Sequence, residues 1–321
     1  MNFDVPIEIS NLSKTYRLGF LQNRQVRALQ GLNLKIERGQ VYGLLGPNGA
    51  GKSTTIKVLM NLVQASTGAV RLFGLPPQSE TARREVGFLP ENPAPYEYLT
   101  GREFVELSGR LGGLSGATLK SRVNEVLASV DMERAGSLQI RRYSKGMNQR
   151  IGLAQAIVAR PRLLILDEPT SGLDPVGRRQ IRDLILTERQ RGTTILFCTH
   201  IISDVEALCD RVVVLVGGKR VREGSVRELL TSQASVVELT VEGVSEAQVR
   251  GLGEQVSQVQ AVGERLLLRA PDASIQNLIR GVQAAGGRIS QLQPSHFSLE
   301  ELFLEALKEA RQGGTVGGEI Q

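Results

Sequence analysis

The sequence predicts an α/β protein built on a mostly parallel sheet, followed by a smaller α+β domain. Two observations support this prediction. Between residues 7 and 225, short apolar runs of the length of buried strands alternate with stretches of helical period. From about residue 229, a second and shorter series of strands and helices follows. Strands that alternate with helices favour a parallel sheet, because a parallel connection needs a long return path.

In the first part, strand-like runs flank a long helical region. The runs lie at 7–9, 32–36, 41–45 and 69–73 before it, and at 163–166, 194–197 and 211–216 after it. From about residue 100 to 160, apolar residues recur at the i, i+3 and i+4 spacing of amphipathic helices, as in Val123, Val126 and Leu127. The pattern predicts helices throughout this middle region.

The second part is predicted to be a small domain, residues 229–310. Its predicted elements are strands at 235–241, 264–269 and 288–293, helices at 245–256, 273–285 and 298–310, and a further strand at 257–262. This order is close to a ferredoxin-like split β-α-β arrangement with an additional terminal helix. The glycine-rich tail, residues 311–321, is predicted to be disordered.

Length and composition are those of an ordinary globular protein of about two domains. The 321 residues are 41% hydrophobic and 22% charged. No apolar run approaches the roughly 18 residues of a membrane-spanning helix, and the N-terminus shows no signal-peptide pattern, so we expect a cytoplasmic protein. The net charge is +6, but the basic residues are scattered and not interleaved with aromatics. We therefore expect no direct binding of nucleic acid.

The most informative segment is a glycine-rich loop that follows the strand-like run 41–45. It matches the phosphate-binding pattern G-x-x-x-x-G-K-[ST] at Gly46, Gly51, Lys52 and Ser53. Glycines let backbone N–H groups approach phosphate oxygens, and the following helix adds its positive dipole end. Lys52 can reach the β- and γ-phosphates, and the Ser53 hydroxyl can ligate Mg²⁺. The predicted ligands of a nucleoside triphosphate are Gly46, Pro47, Asn48, Gly49, Ala50, Gly51, Lys52, Ser53 and Thr54.

An acidic pair follows the strand-like run 163–166. Asp167 is placed to position Mg²⁺, because this ion prefers hard oxygen ligands. Glu168 is placed to accept a proton from an attacking water as general base. The pair therefore predicts hydrolysis of the bound triphosphate.

Three further motifs accompany the loop and the acidic pair. Residues 143–150 lead into a helix, so Ser144 and the Gly146 amide form either a second anion site or an ordinary helix cap. Residues 171–175 (Ser-Gly-Leu-Asp-Pro) form a turn shortly after the acidic pair. His200 follows the strand-like run 194–197, and this position favours a functional over a purely structural role.

In this order, the motifs resemble those of ATP-binding-cassette (ABC) ATPases. The resemblance covers about residues 5–225 and implies a P-loop NTPase cassette, residues 1–228, with a mixed sheet core and a helical subdomain at about 88–160. It also implies a head-to-tail dimer of two cassettes. Each ATP would then lie between the phosphate loop of one copy and the signature motif, Tyr-Ser-Lys-Gly-Met at 143–147, of the other.

The same resemblance implies roles for single residues. Ser144 and Gly146 would contact the γ-phosphate of the partner's ATP, and Asp174 would link the two sites. His200 would sense the γ-phosphate, and Tyr16 would stack on the adenine.

The sequence departs from the general family pattern at two motifs. The signature is usually Leu-Ser-Gly-Gly-Gln, and here only the serine and the second glycine are kept. The loop that usually carries a glutamine has Glu91 at that position, so a carboxylate and not an amide would serve as a further Mg²⁺ ligand.

These variants and the ending Phe-Ser-Leu-Glu-Glu-Leu-Phe at 297–303 resemble one subgroup, the separate ATPase subunits of bacterial exporters. The resemblance implies an ATPase that powers export of an unknown substrate. Its partners would be a second cassette, most simply another copy of the chain, and integral membrane permease subunits, with the protein peripheral on the cytoplasmic face of the membrane. The alternative is a soluble ABC ATPase that regulates a membrane complex or acts on ribosomes or DNA.

Overall fold

The computed structural model describes residues 5–18, 24–231, 236–251, 256, 258–263, 265–295 and 299–312. The chain divides into two compact units. One comprises Met1–Ser225 together with Ala306–Gln321, and the other comprises Val226–Glu305. The boundaries predicted from the sequence, after residues 228 and 310, lie slightly further along the chain.

The strands of the first unit form two sheets. The strands are β1 (Ile7–Leu18), β2 (Arg24–Ile36), β3 (Val41–Leu45), β4 (Thr67–Leu72), β5 (Val86–Leu89), β6 (Leu163–Asp167), β7 (Thr194–Thr199), β8 (Arg211–Val216) and β9 (Lys219–Ser225). The helices are α1 (Lys52–Leu59), α2 (Glu80–Arg84), α3 (Gly101–Leu111), α4 (Gly116–Ser129), α5 (Lys145–Ile157), α6 (Pro175–Gln190) and α7 (Ile202–Leu208). Two single-turn 3-10 helices, Ala135–Ser137 and Ile140–Arg142, lie between α4 and α5.

The larger sheet has the strand order β5-β6-β7-β3-β8-β9. Its strands are parallel except β9, which runs antiparallel to β8. Every residue of β3, β6 and β7 is buried, as expected for central strands covered on both faces. These continuous apolar runs explain why the sequence pattern located the strands correctly.

The N-terminal strands form a separate antiparallel sheet of order β2-β1-β4, so the core of the unit combines parallel and antiparallel strands, in agreement with the predicted mixed sheet. β1 and β2 are also much longer than the apolar runs 7–9 and 32–36. In β1, buried Ile7, Ile9 and Leu12 alternate with exposed Glu8 and Ser10. One face of an antiparallel sheet is often solvated, so polar residues continue the strands beyond the apolar runs.

The middle region is helical, as predicted, and α3, α4 and α5 form its body. A reciprocal capping box between Thr100 and Glu103 begins α3. The end of α5 is held by the buried Arg122 of α4, which donates to the carbonyls of Ile157 (2.7 Å) and Val158 (3.1 Å). These contacts fix α5, the helix that the signature motif begins.

The second unit contains a four-stranded antiparallel sheet with the order β11-β12-β10-β13. Its elements are α8 (Val226–Thr231), β10 (Val236–Glu242), α9 (Glu246–Arg250), β11 (Gln258–Val262), β12 (Arg265–Pro271), α10 (Ile275–Ala284) and β13 (Arg288–Ser295). The last helix, α11 (Leu299–Gln312), begins in this unit and continues past its limit at Glu305. From β10 to β13 the chain order is β-α-β-β-α-β, the order of the split β-α-β arrangement.

Two predictions for the second unit differ from the structure. Helix α9 ends at Arg250, with Gly251 as its C-cap, and not at residue 256. Helix α11 continues to Gln312, two residues into the tail that was predicted to be disordered. Residues 252–255 of the predicted helix, residues 313–321 of the tail, and the edge positions 235, 257, 264 and 298 lie outside the described residues.

Candidate nucleotide-binding site

The predicted motifs meet at one edge of the parallel sheet. The glycine-rich loop joins the carboxyl end of β3 to α1. β5, β6 and β7 run parallel to β3, so Glu91, the pair Asp167 and Glu168, and His200 follow or end strands at the same edge. In open α/β sheets this edge is where ligands bind.

Two glycines of the loop occupy positions that no larger residue could take. A Cβ at Gly46 would lie 2.5 Å from the carbonyl oxygen of Leu215 and 2.8 Å from the Cβ of Ala50. Gly51 caps α1 with a φ of 106°, and a Cβ there would lie 2.6 Å from the carbonyl oxygen of Ala28. The shape of the loop therefore depends on both glycines.

The Lys52 side chain is buried between the loop and the acidic pair. Its Nζ donates to the carbonyl oxygens of Gly46 (2.7 Å) and Pro47 (3.3 Å) and lies 3.6 Å from Glu168 Oε1. The neighbouring N–H groups of the loop carry only partial positive charges. The Lys52 ammonium group would therefore supply the full positive charge next to an anion bound in the loop.

A single cleft collects most of the predicted site residues. It is lined by Pro47, Asn48, Gly49, Ala50, Lys52, Ser53, Glu91, Glu168 and His200. Residues of the glycine-rich loop, the Glu168 carboxylate and the half-exposed His200 imidazole therefore share one space.

Asp167, the last residue of β6, is a buried carboxylate with incomplete hydrogen bonding. The Ser53 hydroxyl hydrogen-bonds the carboxylate, but its Oδ1 has no hydrogen-bond partner in the described part of the chain. Burial raises the pKa of Asp167 to about 6, with the charges of Glu168 and Glu91 acting in the same direction; Ser53 and Lys52 act against it. A buried oxygen without a partner is costly unless a ligand meets it.

The oxygen donors near Asp167 suit Mg²⁺. Hydroxyl and carboxylate oxygens of Ser53, Asp167 and Glu91 are hard ligands, and Mg²⁺ usually keeps waters and substrate phosphates in its remaining positions. Among the described residues, no three His, Cys, Asp or Glu side chains converge to hold a metal by themselves. The oxygens of Ser53, Asp167 and Glu91 fit an ion whose remaining ligands are waters and phosphate oxygens.

We expect Asp167→Asn to stabilise the nucleotide-free protein at neutral pH. The folded-state pKa of about 6 lies above the ordinary value of 3.8, so the fold disfavours the charged form. Below about pH 4 the Asp167 carboxyl is protonated in both the folded and the unfolded chain. As the pH rises from there to about 6, the unfolded chain loses this proton first, and the free energy of unfolding decreases. The shift corresponds to about 2 to 3 kcal/mol of unfolding free energy at pH 7.

Thermal unfolding of wild type and Asp167→Asn at pH 4, 5, 6 and 7 measures this effect. The difference in Tm should grow between pH 4 and 6 and stay constant above it. An asparagine variant that is less stable than wild type at pH 7 would contradict the account of Asp167.

The Glu168 carboxylate is held by three side chains. Its Oε1 lies 2.9 Å from His200 Nδ1, its Oε2 accepts a hydrogen bond from Thr199 Oγ1 at 3.2 Å, and Lys52 approaches Oε1. Its backbone N–H donates to the Cys198 carbonyl at 2.8 Å. Glu168 is only 5% exposed, so these contacts decide where the carboxylate lies.

Two residues of this arrangement were missed by the sequence analysis. Thr199 ends β7 and binds the Glu168 carboxylate, while Gln149 of α5 donates to the Pro169 carbonyl at 3.1 Å. A signal for Thr199 was available, because it directly precedes His200 after an apolar strand. Gln149 lies in the segment 143–150 that leads into a helix, and nothing local in the sequence indicates that it turns toward Pro169.

The signature residues lie outside this cleft. Ser144 is the N-cap of α5, and its Oγ accepts a hydrogen bond from the Met147 N–H at 3.3 Å. Gly146, in the first turn of α5, packs near Leu173. Asp174 is the N-cap of α6, where its Oδ1 accepts from the Gly177 N–H at 2.8 Å. Within a single chain, both Ser144 and Asp174 thus have the role of helix caps.

Tyr16 also lies apart from the cleft. It is a half-buried residue of β1, paired with Val26 of β2, and the Lys14 ammonium lies 5.0 Å from its ring centroid. Tyr16 is not among the residues that line the cleft, so its stacking role stays a prediction.

Comparisons with known proteins identify the family of the chain. Residues 29–171 match the family model described as ABC transporter. An uncharacterized ABC transporter ATP-binding protein of Nostoc sp. is 40% identical over 302 residues, which cover 94% of this chain and 89% of the relative. The daunorubicin/doxorubicin resistance ATP-binding protein DrrA of Streptomyces peucetius is 40% identical over 233 residues, 72% of this chain and 68% of the relative.

A solved structure shows the same fold. It is an ATP-binding cassette in a dimeric post-hydrolysis state, bound to ADP and Pi, with 26% identity and a TM-score of 0.63. The alignment covers 68% of this chain and 98% of that one.

Fold and site together define an ATP-binding cassette. The chain belongs to the ABC transporter family, as one of its ATP-binding subunits, and it hydrolyses ATP. In the part of the chain that the structure describes, no helix has the length and apolar composition to cross a bilayer.

Proposed function

We propose that this ATPase powers export of a substrate through separate membrane permease subunits. ATP would close a dimer of two cassettes, hydrolysis would reopen it, and the permease would follow this motion. The protein would work at the cytoplasmic face of the membrane as a peripheral subunit.

The chain's own residues divide the chemistry of the cleft between them. The loop N–H groups and the Lys52 ammonium bind the β- and γ-phosphates, and Ser53, Asp167 and Glu91 would hold Mg²⁺. When bound, Mg²⁺ would neutralise charge on the phosphate oxygens. Glu168 takes the proton of the attacking water, and His200, at 2.9 Å from Oε1, holds the carboxylate beside the γ-phosphate.

One observation supports the proposed dimer: the signature residues do not line the cleft of their own chain. Ser144 and the Gly146 amide stand at the N-terminus of α5, a position suited to an anion. A second copy, turned head to tail, would bring this helix end to the ATP. The dimeric relative bound to ADP and Pi supports the arrangement.

A stiff segment beside the cleft is the proposed permease contact. Residues 90–95 contain three prolines, and the following Tyr96 and Tyr98 are 55% and 69% exposed, with ring centroids 5.9 Å apart. Exposed aromatic side chains on a loop favour a partner surface. Glu91 lines the cleft and also lies in this segment. It would therefore connect the bound nucleotide to the permease contact.

Export is supported by the relative that confers daunorubicin/doxorubicin resistance, with 40% identity over 233 residues. Cargo contacts would lie in the permease, so the relative supports a direction of transport and not a substrate.

The export proposal predicts that permease stimulates ATP hydrolysis and that Glu91 transmits the effect. Glu91→Ala should lose most of the stimulation and keep the affinity for ATP, because Lys52 and the loop amides remain. Glu91→Gln, which keeps an oxygen ligand, should retain substantial activity and is the matched control.

The measurement is ATPase activity with and without permease subunits in lipid vesicles, and ATP affinity by calorimetry. Absence of stimulation in wild type would contradict the export proposal. Stimulation of Glu91→Ala equal to that of wild type would contradict the role of Glu91 alone.

A further inference from the structure

The turn that begins at Glu168 is held by buried side chains from three different elements. Gln149 of α5 bonds the Pro169 carbonyl, Thr199 of β7 bonds the Glu168 carboxylate, and Asp204 of α7 bonds the Thr170 hydroxyl. Asp204 Oδ2 accepts a 2.7 Å hydrogen bond from Thr170 Oγ1. Gln149 and Asp204 are each 2% exposed, so water does not compete for these bonds. The turn therefore depends on all three elements.

Gln149 acts on the backbone at Glu168. Its Nε2 donates to the Pro169 carbonyl at 3.1 Å and makes a longer contact, 3.5 Å, with the Glu168 carbonyl. The Ser171 N–H donates to the same Glu168 carbonyl. Gln149 does not line the cleft, so it is a positioning residue and not a catalytic one.

The backbone that Gln149 contacts is strained. Glu168 has a φ of 50°, in the left-handed region that non-glycine residues rarely adopt. Such a conformation persists only when surrounding contacts hold it. Loss of one contact would let the carboxylate move, and a displacement of about 1 Å can cost 100-fold in rate.

The helix that carries Gln149 also carries the signature. Ser144 caps α5, and Gln149 lies about 7 Å further along the helix axis. In the proposed dimer, Ser144 contacts the ATP of the partner, whereas Glu168 serves the ATP of its own copy. Helix α5 thus contacts the ATP of one site through Ser144 and the backbone beside the Glu168 base of the other site through Gln149.

We propose that Gln149 couples the two ATP sites of the dimer. When the partner's ATP binds at the N-terminus of α5, the helix shifts. The hydrogen bond from Gln149 then shifts the Pro169 carbonyl, and the Glu168 base of the other site moves into its catalytic position. Hydrolysis at one site then depends on occupancy of the other. This inference rests on the proposed head-to-tail dimer.

Gln149→Met tests the coupling, because methionine fills a similar volume but cannot donate a hydrogen bond. We expect kcat to fall about 10- to 100-fold. The Hill coefficient for ATP, above one in wild type, should fall to about one. ATP affinity and ATP-driven dimerisation, measured in a Glu168→Gln background that does not turn over, should stay within about twofold of the parent.

Thr170→Val is the matched control. It removes a buried hydrogen bond to the same turn, but one that comes from α7 and not from the signature helix. We expect it to lower kcat and to keep the wild-type Hill coefficient, so the pair of variants separates coupling from general support of the turn.

The outcomes separate this inference from the proposed dimer. If Glu168→Gln does not dimerise with Mg-ATP, the dimer itself is wrong. If it dimerises, a wild-type Hill coefficient of one, or an unchanged kcat and Hill coefficient in Gln149→Met, would overturn the coupling role of Gln149. An equal loss of cooperativity in Thr170→Val would overturn it too. So would loss of dimerisation when Gln149→Met is added to Glu168→Gln.

Discussion

Glu168→Gln should bind ATP normally and lose nearly all turnover. The amide keeps the size of the side chain but cannot take a proton from the attacking water. Removal of a general base lowers rates by about 100- to 10,000-fold. Contacts from Thr199 and His200 fix the position of the Glu168 carboxylate.

Steady-state ATPase assays and ATP calorimetry measure this prediction. Glu188→Gln is the matched control, because Glu188 is also buried, at 2% exposure, pairs with Arg191 at 2.6 Å and does not line the cleft. We expect the control to keep wild-type turnover. Residual activity of Glu168→Gln near that of wild type would show that another group serves as base.

Lys52→Ala should abolish hydrolysis and weaken ATP binding. The variant removes the buried ammonium that lies between the loop carbonyls of Gly46 and Pro47 and the Glu168 carboxylate. Truncating one partner of a buried, hydrogen-bonded charge pair costs about 2 to 5 kcal/mol, which is about 30-fold or more in Kd.

Lys57→Ala provides the comparison for Lys52, since Lys57 is an exposed lysine on the same helix, α1. Its ATP affinity should equal that of wild type in the same calorimetric titration. If Lys52→Ala, folded by circular dichroism, binds and hydrolyses ATP as wild type does, the assignment of the loop is wrong.

The parts of the fold that the sequence predicted well are those with local patterns. Fully apolar runs mark β3, β6 and β7 because both faces of these strands are buried. The loop between β3 and α1 is recognisable because phosphate binding requires glycine and lysine at fixed spacing. The four-stranded sheet of the second unit likewise follows the predicted order of elements.

What the sequence could not predict depends on contacts between distant segments. The separate sheet of β1, β2 and β4 arises from antiparallel pairing across a half-polar surface, which hydrophobic runs do not report. The positive φ of Glu168 and the contact of Gln149 with Pro169 depend on packing between α5 and the end of β6. The motif pattern predicted which residues form the cleft, but not what holds them in place.

In the proposed dimer, each ATP lies between the phosphate loop of one copy and the Ser144 region of another. Light scattering of Glu168→Gln and of Glu168→Gln/Ser144→Arg, each saturated with Mg-ATP, tests it most directly. We expect a dimer for the first and an ATP-bound monomer for the second, because the arginine side chain blocks the signature surface and leaves the cleft of its own chain intact. ATP-dependent dimers of equal stability in both proteins would contradict it.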